Sequence, residues 1–171
     1  MDREQVFEKV LNVYHSSFDI TKPYELDEVS YDAYGYCNIT NAKYVLVKKA
    51  ELWRALCFEH AFFKSVSKLE EDDVALFYQQ MLKKVEPDFV RKNEKYPEKN
   101  HMYSYITGIF ICDELTKEAE KKIKKIHYYK NYLFSFRGYC EIRLIAVDLK
   151  NNRVIGNGAA RDMIKDYKRF I

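Results

Sequence analysis

The sequence predicts an α+β fold: a single domain over residues 1–171, with a mixed β-sheet of about five or six strands flanked by about four helices. Three observations carry that expectation. Tyr105 to Cys112 reads YITGIFIC, β-branched and aromatic, with apolar residues on both parities, as in a strand covered on two faces. Leu115, Ala119, Ile123 and Ile126 then recur at spacings of four and three, the stripe of an amphipathic helix. Finally Phe134, Phe136, Cys140, Ile142, Leu144 and Ala146 share one parity, while Ser135, Arg137, Tyr139, Glu141 and Arg143 share the other. That alternation predicts a long strand with one packed and one partly wet face. Strand, covering helix and strand most often make a right-handed crossover between parallel strands.

The remaining elements follow in chain order. Asp2 to Phe18 predicts a helix with Val6, Val10 and Val13 on its apolar stripe, ended by Pro23. Val29 to Ile39 predicts a strand, Thr40-Asn41 a turn, and Lys43 to Lys49 a second strand. Glu51 to Lys64 is read as a third strand, with helix as the competing reading because AELWRALCFEH holds good helix formers. Ser67-Lys-Leu-Glu70 is a capping box for a helix running to about Phe89. Arg91 to His101, polar and carrying Pro97, predicts a loop. For the central helix, Asp113 and Thr116 offer cap oxygens. Lys150 to Arg153 predicts a hairpin turn leading to a short strand at Val154-Ile155. Asn157 is positioned to cap a last helix, Ala159 to Phe170.

Composition narrows the function classes. A chain of 171 residues buries roughly 70% of its unfolded surface and needs neither disulfide nor metal for stability. Cys37, Cys57, Cys112 and Cys140 show no paired spacing and are expected as reduced core thiols. The opening MDREQ carries no basic-then-apolar signal, and no apolar run approaches the ~20 residues that span a bilayer. A cytoplasmic location and no membrane partner are the resulting expectations. The net charge of +3 permits nucleic-acid binding without requiring it.

No complete reaction centre is written in the sequence. His15, His60, His101 and His127 lack metal-ligand spacing, so no metal and no cofactor are expected. Phosphate-loop, dinucleotide and nucleophile-elbow motifs are absent. His60 and Cys57 share a face only if their segment is helical; on a strand they point apart. Gly156-Asn-Gly158 reads as a plain strand-to-helix turn. What remains is a basic helix face, Lys117, Lys121, Lys124 and Lys125, followed by three tyrosines expected to be exposed, Tyr128, Tyr129 and Tyr132. Lysines beside aromatics suit single-stranded nucleic acid, where phosphates pair and bases stack. A second basic face is Arg161, Lys165, Lys168 and Arg169.

The segment GIFICDELTKEAEKKIKK, Gly108 to Lys125, resembles the closing strand and helix of Mrr-type restriction-endonuclease-like domains. Elsewhere the chain reads as a bacterial family without an assigned activity. The resemblance implies a divalent-metal site in which an aspartate and a Glu/Gln-x-Lys pair on neighbouring strands hold Mg²⁺ and position water. Asp32 would match the aspartate and Lys48 the lysine; the intervening ligand position is Leu46, which holds no metal. Glu51 and Glu59 are the nearby carboxylates.

Function is therefore expected in this order. First comes a non-enzymatic binding or accessory module, engaging a protein partner or a second copy of itself. Next is a nucleic-acid binder with a degenerate metal-dependent nuclease site, drawing on Asp32, Lys48, Glu59 and His60 and requiring Mg²⁺. Last is a small-molecule enzyme or sensor with a pocket formed by Tyr34, Tyr36, Glu59, His60 and Tyr139.

Overall fold

Apolar alternation and its interruptions position every strand. The computed structural model describes residues 2–39 and 55–171. Helix α1 spans Arg3–Tyr14, and the Asp2 carboxylate accepts from the Gln5 amide at 2.8 Å to cap it. Four short strands follow: β1 (Asp19–Thr21), β2 (Tyr24–Leu26), β3 (Val29–Tyr31) and β4 (Ala33–Asn38). The one strand expected over Val29 to Ile39 is thus two. β3 pairs with β2 in a separate two-stranded sheet, and Asp32 marks the break. The Asp32 carboxylate there accepts from the Ser65 amide at 2.7 Å, which fixes the step between the two strands. The turn at Thr40-Asn41, the strand over Lys43 to Lys49, Leu46, Lys48 and Glu51 all lie outside the described residues.

From Leu56 onward the strand reading holds, as β5 (Leu56–Leu69). It runs further than expected, so Ser67 is a strand residue and no cap. The helix α2 starts at Glu71 (Glu71–Gln80), and the capping box is Glu70 with Asp73, whose carboxylate accepts from the Glu70 amide at 2.9 Å. The same helix continues with wider, π-type turns over Met81–Val90. Pro87 therefore neither stops nor breaks it: in the wide register the Arg91 amide reaches back to the Glu86 carbonyl at 3.1 Å. Next come β6 (His101–Leu115), α3 (Lys117–Lys125), β7 (Tyr129–Asn131), β8 (Tyr139–Asp148) and β9 (Arg153–Gly156). Thr116 caps α3, accepting from the Ala119 amide at 3.1 Å. The last helix, α4 (Arg161–Tyr167), has a 3₁₀ turn at each end.

The main sheet has the order β1-β4-β5-β6-β8-β7, with β9 also paired to β8. β5 with β6 and β6 with β8 are parallel, and the other pairs are antiparallel. The fold is α+β with a mixed sheet, one strand larger than expected and accompanied by the β2–β3 ribbon. Its two faces differ. On one, α2 and α3 cover Phe62, Ile106, Phe110, Ile142 and Leu144 in a continuous apolar core. On the other, α1 and α4 cover Ala61, Phe63, Ile109, Ile111, Ile145 and Val147. Those six occupy only the half of the sheet toward the C-terminal ends of β5, β6 and β8. Neither α1 nor α4 covers the other half of that face, and β8 accordingly alternates from Tyr139 to Arg143 and then turns fully buried.

Two expectations about β8 are corrected. Phe134 and Phe136 are outside the strand, and they are 90% and 81% exposed. Leu133, Phe134 and Ser135 all have positive φ (51°, 52° and 71°), so the chain makes a left-handed turn where the parity pattern predicted extension. Asn157 is also not a side-chain cap. Its amide is buried, accepting from the Leu144 N–H at 3.0 Å and donating to the carbonyls of Ile126 and Ile142 at 3.2 and 2.9 Å. All four cysteines are buried, and none of them forms a disulfide among the described residues.

Candidate functional site

The half of this face that α1 and α4 leave uncovered is lined with tyrosines. Tyr103, Tyr105, Tyr139 and Tyr129 share its surface across β6, β8 and β7. Their rings lean together: Tyr129 stacks on Tyr139 at 5.0 Å between centroids, Tyr139 on Tyr103 at 5.9 Å, and the Tyr105 and Tyr139 hydroxyls are 3.1 Å apart. Burial pushes the Tyr103 phenol up to about 12 and the Tyr139 phenol up as well, so these rings are neutral hydrogen-bonding platforms.

Beside them stands the left-handed turn. Tyr132 N–H donates to the Gly138 carbonyl at 2.9 Å and Arg137 N–H to the Tyr132 carbonyl at 3.1 Å, closing the loop. His101 fastens it to β6: its Nδ1–H donates to the Arg137 carbonyl at 2.7 Å, while Nε2 accepts from the Ser104 hydroxyl at 2.8 Å. Below, Tyr132 is buried and donates to Glu86 at 2.6 Å. The sequence expectation that Tyr132 is exposed is thereby corrected, and Tyr128 is half-buried against the core. Three consecutive non-glycine residues in the left-handed region cost about 1–2 kcal/mol each. The fixed result is a rigid prong with two benzyl groups in water.

A polar row borders the half that α1 and α4 cover. Glu59, Thr107 and Arg143 lie on neighbouring strands, and Glu59 Oε1 accepts from Thr107 at 2.6 Å and from Arg143 Nη2 at 2.7 Å. The Arg143 guanidinium also lies 3.8 Å from the centroid of the Tyr105 ring. Above the row, the Tyr14 and Tyr167 hydroxyls meet at 2.7 Å. Burial, with the nearby Glu59 charge, raises the pKa of Tyr14.

The residues singled out in the sequence are scattered. Asp32 sits at the far end of β5, where Ser65 and the Arg3–Asp113 pair surround it. Six residues of extended strand, roughly 20 Å, separate Ser65 from Glu59. Lys48 is outside the described residues. His60 is on the opposite face from Glu59, its Nδ1 2.7 Å from the Tyr34 hydroxyl and its pKa lowered by burial to about 4. Tyr34 and Tyr36 are on the His60 face, and Tyr139 is on the Glu59 face, so the five-residue pocket expected from the sequence does not assemble. Lys117, Lys121, Lys124 and Lys125 are exposed on α3, with Lys124 paired to Glu120 at 2.5 Å. Tyr129 is exposed on the other face of the sheet from α3, so these lysines and this tyrosine do not share a surface. Among the described residues, no three His, Cys, Asp or Glu side chains converge as a metal-ligand set. Nor, among the described residues, is any helix long and apolar enough to cross a membrane.

The sequence reading missed Tyr14, Arg143 and Tyr167 as site residues, and it took Phe134 and Phe136 as core. One signal for Arg143 was available: a cation set within a strand whose later residues are continuously apolar.

A mixed α+β sheet whose aromatic half lies beyond α1 and α4, with no metal-ligand set among the described residues, defines the class. The chain belongs to the family described as Domain of unknown function (DUF8052), whose model matches residues 2–169. No curated protein and no solved structure matches the chain.

Proposed function

We propose that the protein is a non-catalytic binding module that docks a protein partner against the aromatic end of its sheet. The observation that carries this reading is the left-handed turn that holds Phe134 and Phe136 at 90% and 81% exposure. Backbone strain and solvated phenyl rings both cost free energy, and both are offset when the rings enter a partner's pocket. Met102, Tyr129 and Leu133, 54%, 49% and 40% exposed, come from the segments around the turn. Together the five side chains present on the order of 500–600 Å² of mostly apolar surface, the size that marks interaction sites on monomers. Tyrosine, phenylalanine and methionine are also the residues that interface centres favour. Nucleic acid is the weaker reading, because the exposed lysines of α3 and the stacking tyrosines face different ways.

The test places a photoreactive benzophenone at position 134 in the native cell, with exposed Glu4 at the other end of the sheet as control. Discrete adducts from position 134 that the control lacks are expected. The purified double variant Phe134→Ser/Phe136→Ser is expected to keep its melting temperature, since exposed substitutions stay within about 0.5 kcal/mol. No discrete adduct at 134, with the purified protein monomeric, would overturn the reading.

A further inference from the structure

Between the end of α1 and the last helix, directly over the polar row, lies a groove of about 360 Å³. Its floor is Glu59 and Arg143, and its sides include Tyr14, Tyr167, Asp166 and Arg169. This groove is separate from the aromatic turn, and nothing about it rests on the docking reading.

We propose that the groove binds a small zwitterion of the α-amino acid class with an apolar side chain. Unspent hydrogen-bonding capacity is the first argument. Arg143 Nε is buried and has no partner, although a buried donor left unpaired costs about 1–3 kcal/mol. The guanidinium cannot turn away to find one, because Glu59 and the Tyr105 ring hold it. Of the two protons on the Tyr14 and Tyr167 hydroxyls, their mutual contact uses one, so the second is available to an acceptor. Both contacts to the Glu59 carboxylate fall on Oε1, so Oε2 keeps its accepting capacity. The groove therefore offers a spare hydroxyl proton and a spare carboxylate oxygen over the Arg143 guanidinium, whose unpaired Nε lies beneath the surface.

Charge is the second argument. Glu59 and Asp166 are balanced by Arg143 and Arg169. A simple anion or cation would add an uncompensated charge to this neutral set. A zwitterion would not, with its carboxylate toward Arg143 and the tyrosine hydroxyls and its ammonium toward Glu59 Oε2 and Asp166. Size and lining give the third. The volume is at the small end of ligand pockets, and Phe18 and Met163 supply an apolar wall for an aliphatic side chain.

Isothermal titration of the full chain with L-leucine tests this, with isovalerate and isoamylamine as probes that keep one charged group each. Saturable binding of L-leucine is expected, with a Kd of about 1 mM or tighter. Each single-charge probe should bind at least tenfold more weakly. Glu59→Gln should remove binding; because that substitution alters a buried pair, the exposed Asp166→Asn and the conservative Tyr167→Phe serve as further variants. Each should weaken L-leucine at least tenfold while the melting curve shows a folded protein. The proposal is overturned if L-leucine gives no saturable signal, if isovalerate or isoamylamine binds as well as L-leucine, or if binding survives both Asp166→Asn and Tyr167→Phe unchanged.

Discussion

The Cβ that Gly138 lacks would stand 2.1 Å from the carbonyl oxygen of Met102. With its φ of +69°, this glycine lets the end of the aromatic turn lie flat on the start of β6. Gly138→Ala must move backbone at the contact and also adopt a left-handed conformation. A loss of at least about 3 kcal/mol is expected, or roughly 6–12 °C in melting temperature for a chain this long. A melting temperature within about 2 °C of the parent would contradict the packing.

His60 is a source of pH dependence with a defined sign. Burial lowers its folded pKa to about 4 against an ordinary 6.5, so between those values the unfolded chain takes up a proton that the folded chain refuses. Its contribution is complete above pH 6.5 and is lost as pH falls toward 4. At pH 5 the loss amounts to about 2 kcal/mol. His101, also lowered by burial, acts in the same direction. Urea unfolding at pH 7 and pH 5 should show a smaller drop for His60→Leu than for the parent, whatever the absolute stabilities. Identical drops would show that His60 is not protected from protonation.

Asn157 ties β9 to β8 and to the end of α3 by one acceptance and two donations. Asn157→Asp keeps the acceptor, removes both donors and buries a charge. It should cost about 3–5 kcal/mol, against about 2 for Asn157→Ala. Chemical denaturation gives the order directly; an aspartate variant as stable as the alanine one would place this side chain in water.

Glu86 gathers three donors on one oxygen: Arg91 at 2.8 Å, Lys130 at 2.9 Å and Tyr132 at 2.6 Å. Burial alone would raise its pKa, but these three outweigh it and the net shift is downward. Glu86→Ala takes the carboxylate from Arg91, which keeps only the Glu94 carbonyl, and leaves the buried Tyr132 hydroxyl without its acceptor, so about 3–5 kcal/mol should be lost. Tyr132→Phe, which removes one donor only, should cost about 1 kcal/mol. In the double variant the phenylalanine should add almost nothing to the alanine, and full additivity would separate the two residues.

The covered parts of this fold were legible in the sequence. Burial enforces period, so Cys140, Ile142, Leu144 and Ala146 announced their face, and Ala119 and Ile123 announced theirs. The aromatic turn was illegible for the same reason. Phe134 and Phe136 continue the parity of Cys140, and none of Leu133, Phe134 and Ser135 favours positive φ. Gly138 interrupts that parity and reads as a bend, a bulge or a close backbone approach, and the structure has the close approach, to Met102; only the backbone shows that Phe134 and Phe136 already lie outside the strand. The polar row was half-legible: Glu59 stood out as a carboxylate in an apolar strand, but its partner Arg143 lies 84 positions later and is brought alongside only by two parallel pairings. Tyr14 and Tyr167 come from opposite ends of the chain, and no local spacing connects them.

The middle of the sheet is made of neighbours that the chain must carry past one another over long distances. Leu56 finds His101 and Tyr103 finds Tyr139 only after an intervening helix has been laid across. Closing such wide loops precedes any reward from pairing, so assembly of this domain should be slow for its size. Throughout that interval the YITGIFIC stretch is uncovered, and it has the composition of a segment that self-associates. Production of the protein at high rate or high temperature will therefore be limited by competition from aggregation before the sheet closes, and far less by how stable the finished molecule is.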